Sequence, residues 1–286
     1  MAVEELTSDP AGNTLRAALG LIPRGRRTAL PSLELIRRGV AIDRDHLARY
    51  DQVCGFRLSD TVPATYPHVL AFPLAMRLLT APDFPFPAIG LVHIANRITV
   101  FRPVPADDIL DFTVRAADLR PHSRGQQVDV VVSASVAGVP VWSAVSTYLS
   151  RAGDSSRSGR PSPASSPSAA LSPASAPSPS PASAVWRVPA GVGSSYAGVS
   201  GDRNPIHTSR IGARLFGFPR PIAHGMWSLA RCLAFFEGRL PAAYTVEVSF
   251  KQPILLPSTV SFHASPSRQF ELYGKRPHLA GQVTPG

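Results

Sequence analysis

From Gly153 to Ala184 the chain is almost entirely Ser, Pro and Ala, with Leu171 as its one large apolar residue. Such a stretch cannot bury enough surface to offset the entropy of ordering it, so it reads as a disordered, partly polyproline linker. It divides the 286 residues into an N-terminal domain, 1–152, and a C-terminal domain, 185–286. Each is long enough to bury a core of its own. No apolar run approaches the ~20 residues of a spanning helix, and the first 30 residues lack a signal-peptide core. No membrane insertion is expected, and the default location is cytoplasmic. Cys54 and Cys232 are too few for a disulfide framework and read as free core thiols.

In the first half, Leu33 to Ile42 suggests a strand and Asp43 to Val53 a short helix. Tyr66 to Leu79 is apolar nearly all round, which suits a helix enclosed on every side. Three β-rich segments follow: Gly90 to Phe101, Asp108 to Ala116, and Gln126 to Leu149, the last broken near Gly138-Val139-Pro140 like a hairpin. In the second half, Gly225 to Phe236 places Met226, Leu229, Ala230, Leu233 and Ala234 on one helical stripe, with Gly238 as its stop. Tyr244 to Phe250, Ser258 to Ala264, Gln269 to Tyr273 and His278 to Val283 then read as strands.

The stretch from Tyr196 to Trp227 concentrates the chemistry. Asn204 before Pro205 is a helix entry: the Asn side chain can accept an orphan N–H, and Pro at the first helical position gives up a hydrogen that had no partner. A helix is predicted from about Pro205 to Phe216, with Asp202 on the entering loop and His207 in the first turn, so that the two side chains converge. Gly217, Pro219 and Pro221 end it, and a second helix can begin at Gly225 with its free N–H groups directed back at the pair.

Gly201-Asp202-x-Asn204-Pro205-x-His207, followed by Gly217-Phe218, Pro221-Ile222 and His224-Gly225-Met226, resembles the hydratase motif of the MaoC-like (R)-specific enoyl-thioester hydratases and 3-hydroxyacyl-thioester dehydratases. The resemblance implies an α+β double hot-dog fold, two curled antiparallel sheets each wrapping a long central helix. It also implies reversible hydration of trans-2-enoyl thioesters to (R)-3-hydroxyacyl thioesters, as in fatty-acid metabolism. That reaction needs a base to activate water at carbon 3, an acid for carbon 2, and a group to hold enolate-like charge on the thioester oxygen. His207 suits the base because imidazole titrates near neutrality. Asp202 shares the water and the proton traffic, and which of the two gives or takes each proton stays open. Gly225 offers a backbone N–H and the positive end of a helix dipole. Asn204 is explained by capping and in the family also supports the site, and His224 is a supporting or capping residue. No metal is expected, since His207 and His224 come with no Cys and no ligand pair at helical spacing. No redox cofactor is expected either.

The halves look related. Tyr50 to Arg57 lines up with Tyr196 to Arg203, and Arg102-Pro103-Val104 to Phe112 with Gln252-Pro253-Ile254 to Phe262. In that register Phe56 stands for Asp202, Thr61 for His207 and Leu70-Ala71 for His224-Gly225. The first half is therefore a non-catalytic copy that completes a binding tunnel.

The net charge of +10 is uneven: residues 186–286 hold 11 basic and four acidic residues, against 15 Arg and 14 acids in 1–150. A basic surround would attract coenzyme A phosphates or an acidic acyl carrier protein, with Arg203, Arg210, Arg214 and Arg220 as candidate contacts. Nucleic-acid binding is not expected, because the cations are not clustered with interleaved aromatics. Pairing into a homodimer stays open. The alternative reading is a non-catalytic acyl-thioester-binding subunit of a hetero-oligomeric dehydratase.

Overall fold

The computed structural model describes residues 2–6, 29–151 and 182–286; nearly all of the Ser/Pro/Ala segment, and the linker expectation with it, lies outside them. The first half contributes β1 (Ala2–Glu5), β2 (Leu33–Ala41), α1 (Arg44–Cys54), α2 (Tyr66–Leu79), β3 (Val92–Val100), β4 (Ile109–His122), β5 (Gly125–Val136) and β6 (Val139–Arg151). The second contributes β7 (Ala184–Val188), α3 (Val192–Ser200), α4 (Pro205–Thr208), α5 (Arg210–Leu215), α6 (Gly225–Phe235), β8 (Tyr244–Phe250), β9 (Ser258–Ala264), β10 (Gln269–Tyr273) and β11 (Pro277–Pro285).

The two expected sheets are joined edge to edge into one of 11 strands, in the order β1-β2-β4-β5-β6-β3-β8-β11-β10-β9-β7. Only β1, beside β2, pairs in parallel. From β2 to β3 and from β7 to β8 the order is the same, read inwards from opposite edges, so the repeat seen in the sequence is a repeat of topology. Aligning Pro103 with Pro253 makes Arg97 the counterpart of Glu247, and these two residues are direct partners where β3 meets β8. The copies are thus related by a pseudo-two-fold axis through that pair. The seam is a core feature, since Ile98 and its partner Val246 are both fully buried, and Thr99 Oγ1 lies 3.0 Å from Thr245 Oγ1.

Each copy places its long helix against the buried face of the sheet. In α2 eight residues are buried, among them Tyr66, Val69, Leu74 and Leu78, as the all-round apolar pattern requires. In α6 the buried surface is broader than the predicted stripe: Trp227 and Cys232 are enclosed with Met226, Leu229, Ala230 and Leu233, whereas Ala234 is half-buried. The helices also lock the copies together. Trp227 Nε1 donates to the Val53 carbonyl (3.0 Å), and His46 Nε2 lies 2.9 Å from the Val199 carbonyl. Both cysteines are buried free thiols.

Two expectations need correction. The helix predicted over Pro205–Phe216 is two short helices, because Ser209 is extended (φ −134°, ψ 132°) and its hydroxyl caps α5 by accepting from Gly212 N at 3.2 Å. A side chain that can cap the next helix competes with continuing the last one.

The repeat register also shifts beyond Gly55 and Gly201. Both glycines end their helices in the left-handed region (φ 80° and 75°), which keeps Phe56 opposite Asp202. Further on, Val62 N donates to Val104 O at 2.8 Å as Ala223 N does to Ile254 O at 2.9 Å. Ala106 N donates to Asp60 O at 2.7 Å as Leu256 N does to Pro221 O at 2.8 Å. These matched bonds put Pro63 and Ala64, not Leu70-Ala71, in the places of His224 and Gly225. Thr61 then corresponds to Ile222, as their bridges to Pro105 and Leu255 also show. His207, with α4 and α5, has no counterpart; it lies in a segment that the second copy has and the first lacks.

Candidate active site

Asp202 follows the left-handed turn at Gly201 that ends α3. Its backbone N–H donates to Ser200 Oγ (3.2 Å), and its Oδ1 accepts from Asn204 N (3.2 Å), so the loop holds the carboxylate while leaving the side chain 32% exposed. Asn204 caps α4 as predicted, accepting from Ile206 N at 3.3 Å. His207 sits in that single turn, buried, with Nδ1 2.8 Å from the Ile222 carbonyl. A carbonyl can only accept, so Nδ1 carries the proton and Nε2 keeps its lone pair. The turn can approach α3 this closely because residue 193 is glycine: a Cβ there would fall 2.1 Å from the His207 carbonyl oxygen.

His224 precedes α6 and makes no capping bond with its side chain. It reaches back instead, with Nε2 3.0 Å from the Asp202 carbonyl oxygen and 3.7 Å from Oδ2. Its ring stacks on that of His207, centroids 3.6 Å apart, and packs against Tyr196 at 4.9 Å. Burial lowers the pKa of both imidazoles, against the pull of the Asp202 carboxylate; for His224, pushed down to about 4, the neighbouring His207 adds to the lowering. Two stacked rings would repel if both were protonated, and both are neutral near pH 7.

One ligand atom from each of Asp202, His207 and His224 lies within 4.8 Å of the others, the group among the described residues that could approach a cation together. Ring geometry disfavours it. Imidazole lone pairs lie in the ring plane, and two rings inclined by 25° and stacked at 3.6 Å cannot both aim theirs at one ion.

Gly225 is the first residue of α6, where N–H groups have no partner within the helix. A Cβ on it would lie 3.2–3.3 Å from the Phe250 ring, so glycine leaves a gap between the helix start and the end of β8. Beyond Phe250 the wall belongs to the first copy. His93 packs on Phe250 (5.0 Å) and stacks on Tyr148 (4.8 Å), and His68 stacks on His93 at 6.2 Å. Phe72 of α2 would meet a Cβ on Gly201 at 3.6 Å. These residues went unrecognised in the sequence. His68 and His93 were readable as polar residues inside apolar segments, but nothing local indicates that His68 comes within electrostatic reach of Asp202 or that His93 packs on Phe250 of the other copy. Burial pushes His68 down to about 4 and His93 to about 3, so both stay neutral beside the site. Arg203, Arg210, Arg214 and Arg220 are all exposed around it, as are Ile211 and Leu215 of α5.

One sheet carrying a long helix for each of its two copies, with Asp202 and His207 beside the helix of only the second, is a double hot-dog scaffold. The MaoC like domain matches residues 193–274, from α3 through β10. The chain belongs to the MaoC-like dehydratase family. It is 41% identical over 261 residues, 90% of either chain, to 3-hydroxyacyl-thioester dehydratase X of Mycobacterium tuberculosis. The crystal structure of HtdX from that organism superimposes with a TM-score of 0.76 at 36% identity, covering 88% of this chain and 100% of the other. A more distant M. tuberculosis structure described as a double hotdog fold has a TM-score of 0.51 at 13% identity, covers 87% of this chain and 94% of its own, and bears on the fold alone.

Proposed function

We propose that the chain is a hydro-lyase that interconverts trans-2-enoyl and (R)-3-hydroxyacyl thioesters, with Asp202 and His207 as its acid–base pair. The observation that carries this reading is the convergence of Asp202, His207 and His224 within 4.8 Å, beside the first N–H groups of α6. In hydration, His207 Nε2 and the Asp202 carboxylate hold the water, and one of them takes its proton as the oxygen bonds to carbon 3. The carbon 2–carbon 3 π electrons move towards the thioester oxygen, where the Gly225 N–H stabilises the enolate charge. The proton then returns to carbon 2, and dehydration is the reverse. Water is added and nothing is oxidised, so the reaction calls for no redox cofactor. Asn204 and His224 position the loop rather than touch substrate: one caps α4, the other ties Asp202 to the start of α6.

In this reading residues 1–152 form a non-catalytic hot dog, 153–184 a linker and 185–286 the catalytic hot dog, with His68, Phe72, His93 and Tyr148 of the first lining the acyl path into the second. The exposed arginines around the entrance suit coenzyme A phosphates or an acidic carrier protein. Free thiols at Cys54 and Cys232 suit the cytoplasm.

The test is the loss of enoyl absorbance with crotonyl-CoA. Asp202→Asn and His207→Ala should each lower kcat/KM by about 10²–10⁴-fold with the fold intact. Binding of enoyl-CoA without turnover, across short and long chains, would instead support a binding subunit that depends on a partner chain.

A further inference from the structure

Where the second copy carries its acid and base, the first copy keeps a cavity of about 690 Å³. The matched hydrogen bonds and the paired glycine turns identify its wall position by position. Phe56 stands for Asp202, Pro63 for His224, Ala64 for Gly225 and Val100 for Phe250, and all four line the cavity. The opposite wall is exchanged in the same way. In the catalytic copy it comes from α2 and β3 of the first; here it comes from Leu233 of α6 and Tyr244 at the start of β8. The cavity is the catalytic site's counterpart across the pseudo-two-fold axis.

The replacements have a consistent chemical direction. A carboxylate and an imidazole have become a phenyl ring and a proline, and the segment bearing His207 is absent. The replaced positions can no longer hold or activate water, yet a cavity remains, at a volume within the ~300–1,000 Å³ of ordinary ligand pockets. Arg57 at the rim is itself neutralised, its Nε 3.2 Å from Glu237 Oε2, which leaves little at the entrance to hold a small anion. What remains suits an alkyl chain.

We propose that this cavity is a second, non-catalytic acyl site, which takes the acyl chain of a further acyl thioester while its coenzyme A or carrier stays outside. The inference rests on the acyl-thioester reading of the second copy.

The experiment is calorimetric titration of the full chain with octanoyl-CoA, which has no double bond to hydrate, alongside Thr61→Trp and Ala242→Trp, both at residues that line this cavity and are not among those placed at the catalytic site. The expected result is two equivalents bound per chain, falling to one in either variant; the second variant serves if the first does not fold. One equivalent that persists in both variants overturns the proposal, and so do two that persist. A single equivalent removed by the variants would keep the cavity as an acyl site and overturn the proposed function instead. Coenzyme A alone should bind with no more than one equivalent.

Discussion

Two local facts favour His207 in its proposed role as base. The Ile222 carbonyl fixes the proton on Nδ1, and burial keeps the ring neutral below the pH at which an exposed imidazole would be charged. The sign follows: a base with a lowered pKa stays competent as pH falls through 6.5, and activity is lost only below that. The kcat/KM profile for hydration should therefore be flat from pH 8 to 6.5, with its acid limb below 6.5; a limb centred above 6.5 would remove His207 from the role. Gly225 offers a sharper test, since its missing side chain serves two neighbours. Gly225→Ala places a Cβ 3.2–3.3 Å from the Phe250 ring and fills the gap proposed to admit the acyl group to the first N–H groups of α6. The N–H remains, so the loss comes from displacing the substrate: turnover should fall by about 10²-fold, the cost of a misplacement of about 1 Å. Adding Phe250→Leu should recover Tm without recovering kcat, because only the packing conflict is relieved.

Elements whose residues fit their own local pattern were legible in the sequence. The strands Tyr244–Phe250, Ser258–Ala264 and Gln269–Tyr273, and the helix Tyr66–Leu79, lie where alternation or all-round apolarity placed them. The break at Ser209 was not legible, since it depends on the hydroxyl finding Gly212 N rather than on composition. The shift in the repeat register was hidden too: residues 202–221 carry an insertion that breaks no hydrophobic period, and only the bonds to the following strand reveal it. Asp202 and His207 were legible through their spacing, whereas His68, His93 and Tyr148 reach the site by crossing the seam. The packing of α3 on α4 is an element-scale dependence that can be measured. Gly193→Ala would set a Cβ 2.1 Å from the His207 carbonyl oxygen, and backbone cannot yield as a flexible side chain does. A loss of about 1–3 kcal/mol is expected, with kcat reduced up to ~10²-fold as the proposed base is displaced by about 1 Å. Normal Tm and kcat together would show that α4 has room to move.

At the scale of the whole molecule, the two copies depend on contacts that neither could make alone, and one of these carries a cost. Asp51, near the end of α1, is buried with Oδ1 lacking a hydrogen-bond partner. Burial, and then the Glu237 carboxylate from the turn after α6, push its pKa up to about 7. Glu237 itself accepts from Arg57 N (3.1 Å) and Nε (3.2 Å), so it cannot withdraw without breaking the tie between the copies. A carboxyl raised from its usual 3.8 to about 7 on folding binds its proton more tightly in the native state. Its contribution to stability is fully present below about pH 4 and is lost as pH rises through 7. Above that, the folded protein holds an uncompensated charge that the unfolded chain gives to water. Asp51→Asn should remove the penalty where it exists and change little where it does not. The expected gain is on the order of 1–2 kcal/mol at pH 8, a fraction of the cost of an unrelieved buried carboxylate, seen as a Tm about 3–6 °C higher. At pH 4 the two proteins should melt together. A Tm difference that is the same at both pH values would mean that the substitution acts through packing, and that the contact between α1 and the turn after α6 carries no ionisable strain at this position.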